Sequence, residues 1–140
     1  MDTITAAFAT DDGTHFISRH FGDAKYFDIY VIDKDNAELI KRLDNTTAGD
    51  EEIHGDTGKA GSVSGLLLKN SVTVAVSKIF GPNIKRIKRK FVCILMNDPT
   101  IAESITRIQS NLDALISEWE KGTDRNYLNF LKRGEVGERI

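Results

Sequence analysis

The chain has a single cysteine, Cys93, in 140 residues. One thiol excludes a disulfide within the chain and every structural zinc site built from paired cysteines. It also excludes an ordinary iron–sulfur site, which takes four cysteine thiolates from one chain. Any cluster that this protein binds must therefore be assembled elsewhere.

Long apolar runs and an excess of one charge are also absent. No apolar run reaches the roughly 18 residues of a membrane helix, and the N-terminal MDTITAAFATDDG meets an acidic pair too early for a secretory signal. We therefore expect a cytoplasmic protein with no membrane contact. The net charge of −2 indicates no bulk attraction to a polyanion, which disfavours nucleic acid as a partner.

The apolar patterns predict one α/β domain, which suits the length of the chain. Strands are predicted over 3–10, 26–32, 37–43, 71–77 and 91–96, and helices over 59–69, 84–90 and 100–121. The second and third strands form an antiparallel hairpin, and a helical crossover makes the fourth and fifth parallel. We expect a three-layer domain with a mixed five-stranded sheet over residues 1–121. A C-terminal tail, 122–140, should dock partly as a short helix.

The stretch 18–33, SRHFGDAKYFDIYVID, places a histidine turn directly before a strand. His20, Phe21 and Gly22 precede the alternating apolar run. A glycine after a bulky aromatic residue lets the backbone turn through positive φ or approach a ligand closely, and a rigid strand positions such a loop. His20 is therefore a candidate ligand. The alternative is that His20 only forms the turn and that Phe21 is a core residue.

The carboxyl ends of the parallel strands predict where a ligand binds. If the first strand runs parallel to those at 71–77 and 91–96, their carboxyl ends meet at one edge, where open α/β sheets bind ligands. That edge would collect Thr10, Asp11, Asp12, His20, Gly81, Pro82, Asn83 and Asn97. The triplet 81–83 precedes a helix, whose first N–H groups favour an anion.

Few side chains in this sequence suit a soft metal. They are His15, His20, His54, Cys93, Met1 and Met96. One or two of these ligands could anchor a preassembled cluster, although they could not build one. Cys93 lies within FVCIL and is predicted to be a buried core thiol. For His15 and His54, ligand binding and simple solvation both remain open.

Three stretches of the sequence carry a resemblance. They are AAFATDDG at 6–13, SRHFGDAKYFDIYVID at 18–33 and IFGPNIKRI at 79–87. Together they resemble the dinitrogenase iron-molybdenum cofactor biosynthesis family, the NifX-like and NifY-like proteins, over roughly residues 3–120. The resemblance implies a ribonuclease H-like fold. It also implies a non-enzymatic carrier that binds an iron–sulfur or iron–molybdenum cluster without a covalent bond and passes it to an assembly or acceptor protein.

The resemblance makes His20 the first candidate metal ligand. The cluster would lie against His20, Phe21, Gly22, Asp12, Gly81, Pro82 and Asn83. The poor supply of soft ligands leaves an alternative open, a metal-free module that binds an anionic ligand or a protein at the same edge. The protein could act as a monomer or a homodimer.

Two further interpretations follow from charged residues. Nucleases with a ribonuclease H-like fold hold two metal ions with clustered carboxylates, and Asp11, Asp12, Asp28 and Asp33 are available. However, adjacent acids are typical turn formers. The basic run KRIKRK at 85–90 could contact nucleic acid or an acidic partner. Because no aromatic residue interrupts it, we expect the solvated face of a short helix.

Overall fold

The computed structural model describes residues 2–45 and 62–130. Several predictions concern other residues. The loop predicted after Asn45, His54 and the first part of the helix predicted over 59–69 lie outside the described residues, as does the tail from 131 onward.

The described residues form six strands and four α-helices. In chain order these are β1 (Ile4–Thr10), β2 (Tyr26–Ile32), β3 (Ala37–Asp44), α1 (Val63–Lys69), β4 (Val74–Ser77), α2 (Ile84–Ile87), β5 (Val92–Met96), α3 (Ile101–Ser110), α4 (Leu112–Trp119) and β6 (Leu128–Phe130). Short 3-10 turns cover Phe21–Asp23 and Gly122–Asp124. Within 2–45 and 62–130, none of the helices has the length and apolar character to cross a membrane.

The strands form one mixed sheet in the order β3-β2-β1-β4-β5-β6. Strands β1, β4, β5 and β6 run parallel, and β2 is antiparallel to both β1 and β3. The predicted hairpin and the predicted parallel crossover are therefore confirmed. The predicted count of five strands is wrong, because the described part of the chain contains six.

The sixth strand comes from the tail, where we predicted a short docked helix. Leu128 and Phe130 pack against the core while Asn129 between them is exposed. This alternation has the period of a strand, but three residues are too few to show it in the sequence. The tail as far as residue 130 therefore extends the sheet beside β5.

Helices cover both faces of the sheet, so the three-layer prediction is confirmed. On one face, Phe8 and Ile94 pack with Ile108 of α3 and Leu115 of α4. On the other face, α1 and α2 cover a second cluster that includes the small residues of β1. The two clusters bury β1, β4 and β5 on both sides, which makes them a rigid base for the loops at their ends.

The helix predicted over 100–121 is interrupted at Asn111. The side-chain Nδ2 of Asn111 donates to the carbonyl of Arg107 at 2.8 Å, and its backbone leaves the helical conformation at φ −122°. Asparagine competes in this way with the helical hydrogen bonds. The apolar stripe nevertheless continues, because Ile108 and Leu112 on either side belong to the same cluster.

Thr100 caps α3, where it begins the T-x-x-E sequence that ends at Glu103. Its Oγ1 accepts a hydrogen bond from the N–H of Glu103 at 3.2 Å. Thr100→Ala should lower the free energy of unfolding by about 1 kcal/mol, because that N–H loses its acceptor. Thr100→Ser keeps the acceptor and is the matched control in urea unfolding. An equal loss in both variants would contradict this role of the hydroxyl.

Candidate functional site

The carboxyl ends of β1, β4 and β5 lie at one edge of the sheet, here called the carboxyl edge. The loop after β1 crosses this edge. His15 forms a backbone bridge with Thr100, beyond β5, and the chain then returns so that His20 bridges Ile79, beyond β4. The hydrogen bond from the N–H of Phe21 to the carbonyl of Ile79, at 2.8 Å, fixes the return. Residues 11–20 are thereby tied to the ends of two neighbouring strands.

The imidazole of His20 lies directly on Gly81. A Cβ atom at Gly81 would lie 2.7 Å from Nδ1 of His20, which is closer than real Cβ contacts. Gly81 also has φ +79°, a left-handed conformation that favours glycine. His20 is exposed, and its ring makes no hydrogen bond to any residue in the described part of the chain. No described residue therefore competes with a ligand for the imidazole of His20.

Phe21, the next residue, packs into the core and holds His20 in place. Its ring is 1% exposed and lies 5.0 Å from the ring of Phe27 and 5.1 Å from that of Phe80. Phe21 therefore fills the core, which was the alternative interpretation, and it positions His20 through the backbone. Gly22 lies in the 3-10 turn without a positive φ, so the left-handed conformation that we associated with Gly22 belongs to Gly81 instead.

Asp12 orients a second histidine at the same edge. Its Oδ2 lies 2.8 Å from Nδ1 of His15, and its Oδ1 accepts hydrogen bonds from the backbone N–H groups of Thr14 and His15, each at 2.8 Å. These bonds, chiefly those from His15, hold the pKa of Asp12 well below its usual range. With Nδ1 engaged, the exposed His15 presents Nε2 to solvent. Carboxylates orient metal-binding imidazoles in this way.

The Asp12–His15 pair is a feature that the sequence analysis missed. Its signal is the three-residue spacing in D-G-T-H, where an aspartate that accepts backbone N–H groups in a turn also reaches the side chain three residues later. Ser77 was also missed. Its buried Oγ lies at the carboxyl end of β4 and has no hydrogen-bond partner in the described structure.

Asp11 holds the base of the loop. It accepts hydrogen bonds from the N–H of Lys25 at 2.9 Å and from Nη2 of Arg19 at 3.0 Å. Burial raises the pKa of Asp11, but these hydrogen bonds and the nearby cations outweigh burial, so the pKa is lowered. Asp11 is therefore a structural anion that closes the loop.

The triplet Gly81, Pro82 and Asn83 precedes α2, but α2 has only four residues. The N–H of Ile84 already donates to the carbonyl of Gly81 at 3.2 Å, and the Asn83 side chain makes no capping bond. A single helical turn carries little of the dipole that attracts an anion to a longer helix. The prediction that an anion binds here gains no support from this geometry.

Fewer candidate metal ligands are accessible in the structure than the sequence lists. Cys93 is buried, and burial raises the pKa of its thiol to about 12. Met96 is also buried. Among the described residues, no three histidine, cysteine, aspartate or glutamate side chains are grouped to hold a metal ion. The accessible soft donors in this part of the chain are His15 and His20.

The carboxylates considered for a nuclease site are not gathered together. Asp28 is buried on β2 and binds Nε of Arg42 at 2.7 Å. Asp33 accepts hydrogen bonds from the N–H groups of its own turn, at the opposite end of β2 from the carboxyl edge. Asp11 and Asp12 have the partners described above. This arrangement lacks the shared carboxylate cluster that two metal ions need.

Comparisons with known proteins agree with the resemblance seen in the sequence. The profile of the family described as dinitrogenase iron-molybdenum cofactor matches residues 2–111. A crystal structure of a protein provisionally named a dinitrogenase, from Methanocaldococcus jannaschii, is 20% identical with a TM-score of 0.56, over 79% of this chain and 91% of that chain. An NMR structure of the same protein is 21% identical with a TM-score of 0.57, over 80% and 92%. At this identity the likeness shows a shared fold. No curated protein matches the sequence.

Gly81→Ala tests the contact beneath His20. Alanine should cost about 1–2 kcal/mol of stability for the left-handed backbone and should displace the imidazole. Gly122→Ala is the matched control, because Gly122 has φ +64° but nothing within 4 Å of the added Cβ. Urea unfolding should show a loss in both variants. Only Gly81→Ala should move the NMR resonances of His20, and unmoved resonances would contradict the contact.

Asp12→Asn tests the Asp12–His15 pair through pH. Because the folded chain lowers the pKa of Asp12 from 3.8, its ionised form stabilises the folded state above that pH. This contribution is lost as the pH falls through the folded-state pKa. The stability difference between wild type and variant should therefore be largest near neutral pH and shrink in acid. Asp124→Asn removes the same charge at another exposed aspartate and is the matched control.

Proposed function

Because the chain belongs to the dinitrogenase iron-molybdenum cofactor family, we propose that it is an accessory protein that carries a preassembled metal cluster. The cargo is an iron–sulfur or iron–molybdenum cluster, bound without a covalent bond and passed to an assembly or acceptor protein. In this proposal the protein acts in the cytoplasm, is not an enzyme and has the ribonuclease H-like form of a mixed α/β sheet.

One observation carries the proposal, namely the free imidazole of His20 at the carboxyl edge. The ring is exposed, has no hydrogen-bond partner among the described residues, and is held over Gly81. An imidazole nitrogen is a suitable ligand for iron and other transition metals. Phe21 holds the backbone of this residue to the core. The ligand therefore stands on a rigid base and is accessible to a cargo as large as a cluster.

The small number of ligands agrees with transport better than with permanent storage. A resident iron–sulfur cluster takes several thiolates, whereas Cys93 is buried and its pKa is raised by burial. A cluster bound through one imidazole, with His15 as a second donor at the same edge, keeps positions free for the ligands of an acceptor. Exchange of one or two bonds is then enough for transfer.

A metal-free module is the second candidate. It is favoured by the absence of a group of three metal-binding side chains within 2–45 and 62–130. Such a module would bind an anionic ligand or a protein at the same carboxyl edge. Its binding would persist after chelation of metals and in a variant without His20.

His20→Ala tests the carrier proposal. Wild type and variant are incubated without oxygen with isolated iron–molybdenum cofactor and, separately, with a [4Fe–4S] cluster on exchangeable thiolates. Bound metal is measured after gel filtration. The variant should bind the cluster with about tenfold lower affinity, a loss of about 1.4 kcal/mol of binding free energy, with unchanged stability, and should therefore retain less of it.

His15→Gln tests the second donor, whose Nδ1 is already engaged by Asp12. It should retain more cluster than His20→Ala. Equal retention by wild type and His20→Ala would remove His20 from the mechanism. If neither protein retains any cluster, the metal-free module replaces the carrier.

A further inference from the structure

Five of the six consecutive residues 85–90 are cations, and they lie in α2 and the turn that follows it. This basic surface consists of Lys85, Arg86, Lys88, Arg89 and Lys90. Lys88 is partly buried and the other four are exposed. None of the five side chains forms an ion pair or a hydrogen bond with another described residue. Their charges are therefore not neutralised by the fold that surrounds them in this part of the chain.

The backbone that carries the basic surface is held rigidly. Ile84 and Ile87 pack toward the core, and Phe91 at the end of the turn is fully buried. The N–H of Lys88 donates to the carbonyl of Ile84 at 2.9 Å, and the N–H of Lys90 donates to that of Ile87 at 2.9 Å. The cations therefore project from a fixed turn.

A buried arginine also holds the turn that carries the basic surface. Arg125 is 6% exposed, and its Nη1 donates to the carbonyl of Arg89 at 2.9 Å. The guanidinium lies 4.2 Å from the ring centre of Trp119 and donates to the carbonyl of that residue. A surface that is ordered before binding loses less conformational entropy when a partner docks. The backbone of the basic turn is therefore already ordered before a partner binds.

The rest of the chain has the opposite charge. Because the whole chain carries −2, the five cations leave −7 on the other residues. The basic surface therefore differs in sign from the net charge of the remaining residues. Such a charge distribution orients an approaching partner.

We propose that the basic surface docks an acidic segment of a partner protein. The five charges span six residues, about 9 Å of helix axis, which matches a short acidic segment. A single-stranded nucleic acid would find no aromatic platform here for its bases, because Phe80 and Phe91, which flank the segment, are buried.

The position of the basic surface suggests which partner docks. Gly81, which touches the His20 ring, lies only three residues before α2. A protein that docks on Lys85 and Arg86 would stand beside the candidate ligand. The inference that the docked protein is the acceptor of the cluster rests on the proposed carrier function. The inference that an acidic segment docks here does not.

The test measures binding of a fluorescein-labelled peptide of about four glutamates, which spans about 13 Å in extended form and so covers the surface. Wild type is compared with the double variant Lys85→Gln and Lys90→Gln. The matched control is Lys34→Gln with Lys69→Gln, which removes the same charge from exposed lysines elsewhere. The first double variant should bind about three- to tenfold more weakly, and the control should bind like wild type. Binding should weaken with salt.

Several results would overturn the inference. They are no peptide binding by wild type, equal losses in the two double variants, or tighter binding of single-stranded or duplex DNA than of the peptide. Self-association that depends on Lys85 and Lys90 would instead assign the surface to a second copy. Because the peptide assay uses no cluster, His20→Ala should bind the peptide normally. Failure of docking and failure of cluster binding are therefore measured separately.

Discussion

The candidate site depends on the burial of one ring, that of Phe21. This ring packs between Phe27 of the sheet and Phe80 of the loop after β4, so it joins two segments far apart in sequence. The adjacent N–H pairs with the carbonyl of Ile79. Apolar burial thus fixes a backbone position, and the polar imidazole of the preceding residue is held at the surface. A reactive side chain on a loop can therefore have the rigidity of the core.

Charged groups in this protein have two distinct uses. Asp28, Asp11 and Asp12 are each bound to a cation, a ring or backbone N–H groups, and they hold the fold or a loop in shape. The cations of the basic surface have no such partners among the described residues. A charge that satisfies another group inside the fold stabilises that fold, whereas a charge held out on a fixed turn is available to another molecule.

The sequence predicted the parts of the fold that have a strong period. The alternation of Phe27 and Ile29 identified β2, and the crossover from β4 to β5 identified parallel strands. The sequence also located His20 at the carboxyl edge. It assigned the left-handed glycine conformation to Gly22 and not to Gly81, because the contact between Gly81 and His20 joins residues about 60 positions apart and leaves no local pattern. The strand β6 was missed because three residues have too little pattern. The Asp12–His15 pair depends on turn geometry, which no periodicity records.

Strand β3 has a consequence for how the protein behaves at high concentration. It spans eight residues at the edge of the sheet, with Leu39 47% and Ile40 50% exposed. An exposed apolar edge strand can template pairing with other chains and lead to aggregation. Here a bulge opposite Ile29 and Tyr30 interrupts the ladder, and Lys41 adds a charge in the same strand. These two features make the edge a poor template for sheet growth, which protects the folded chain from aggregation.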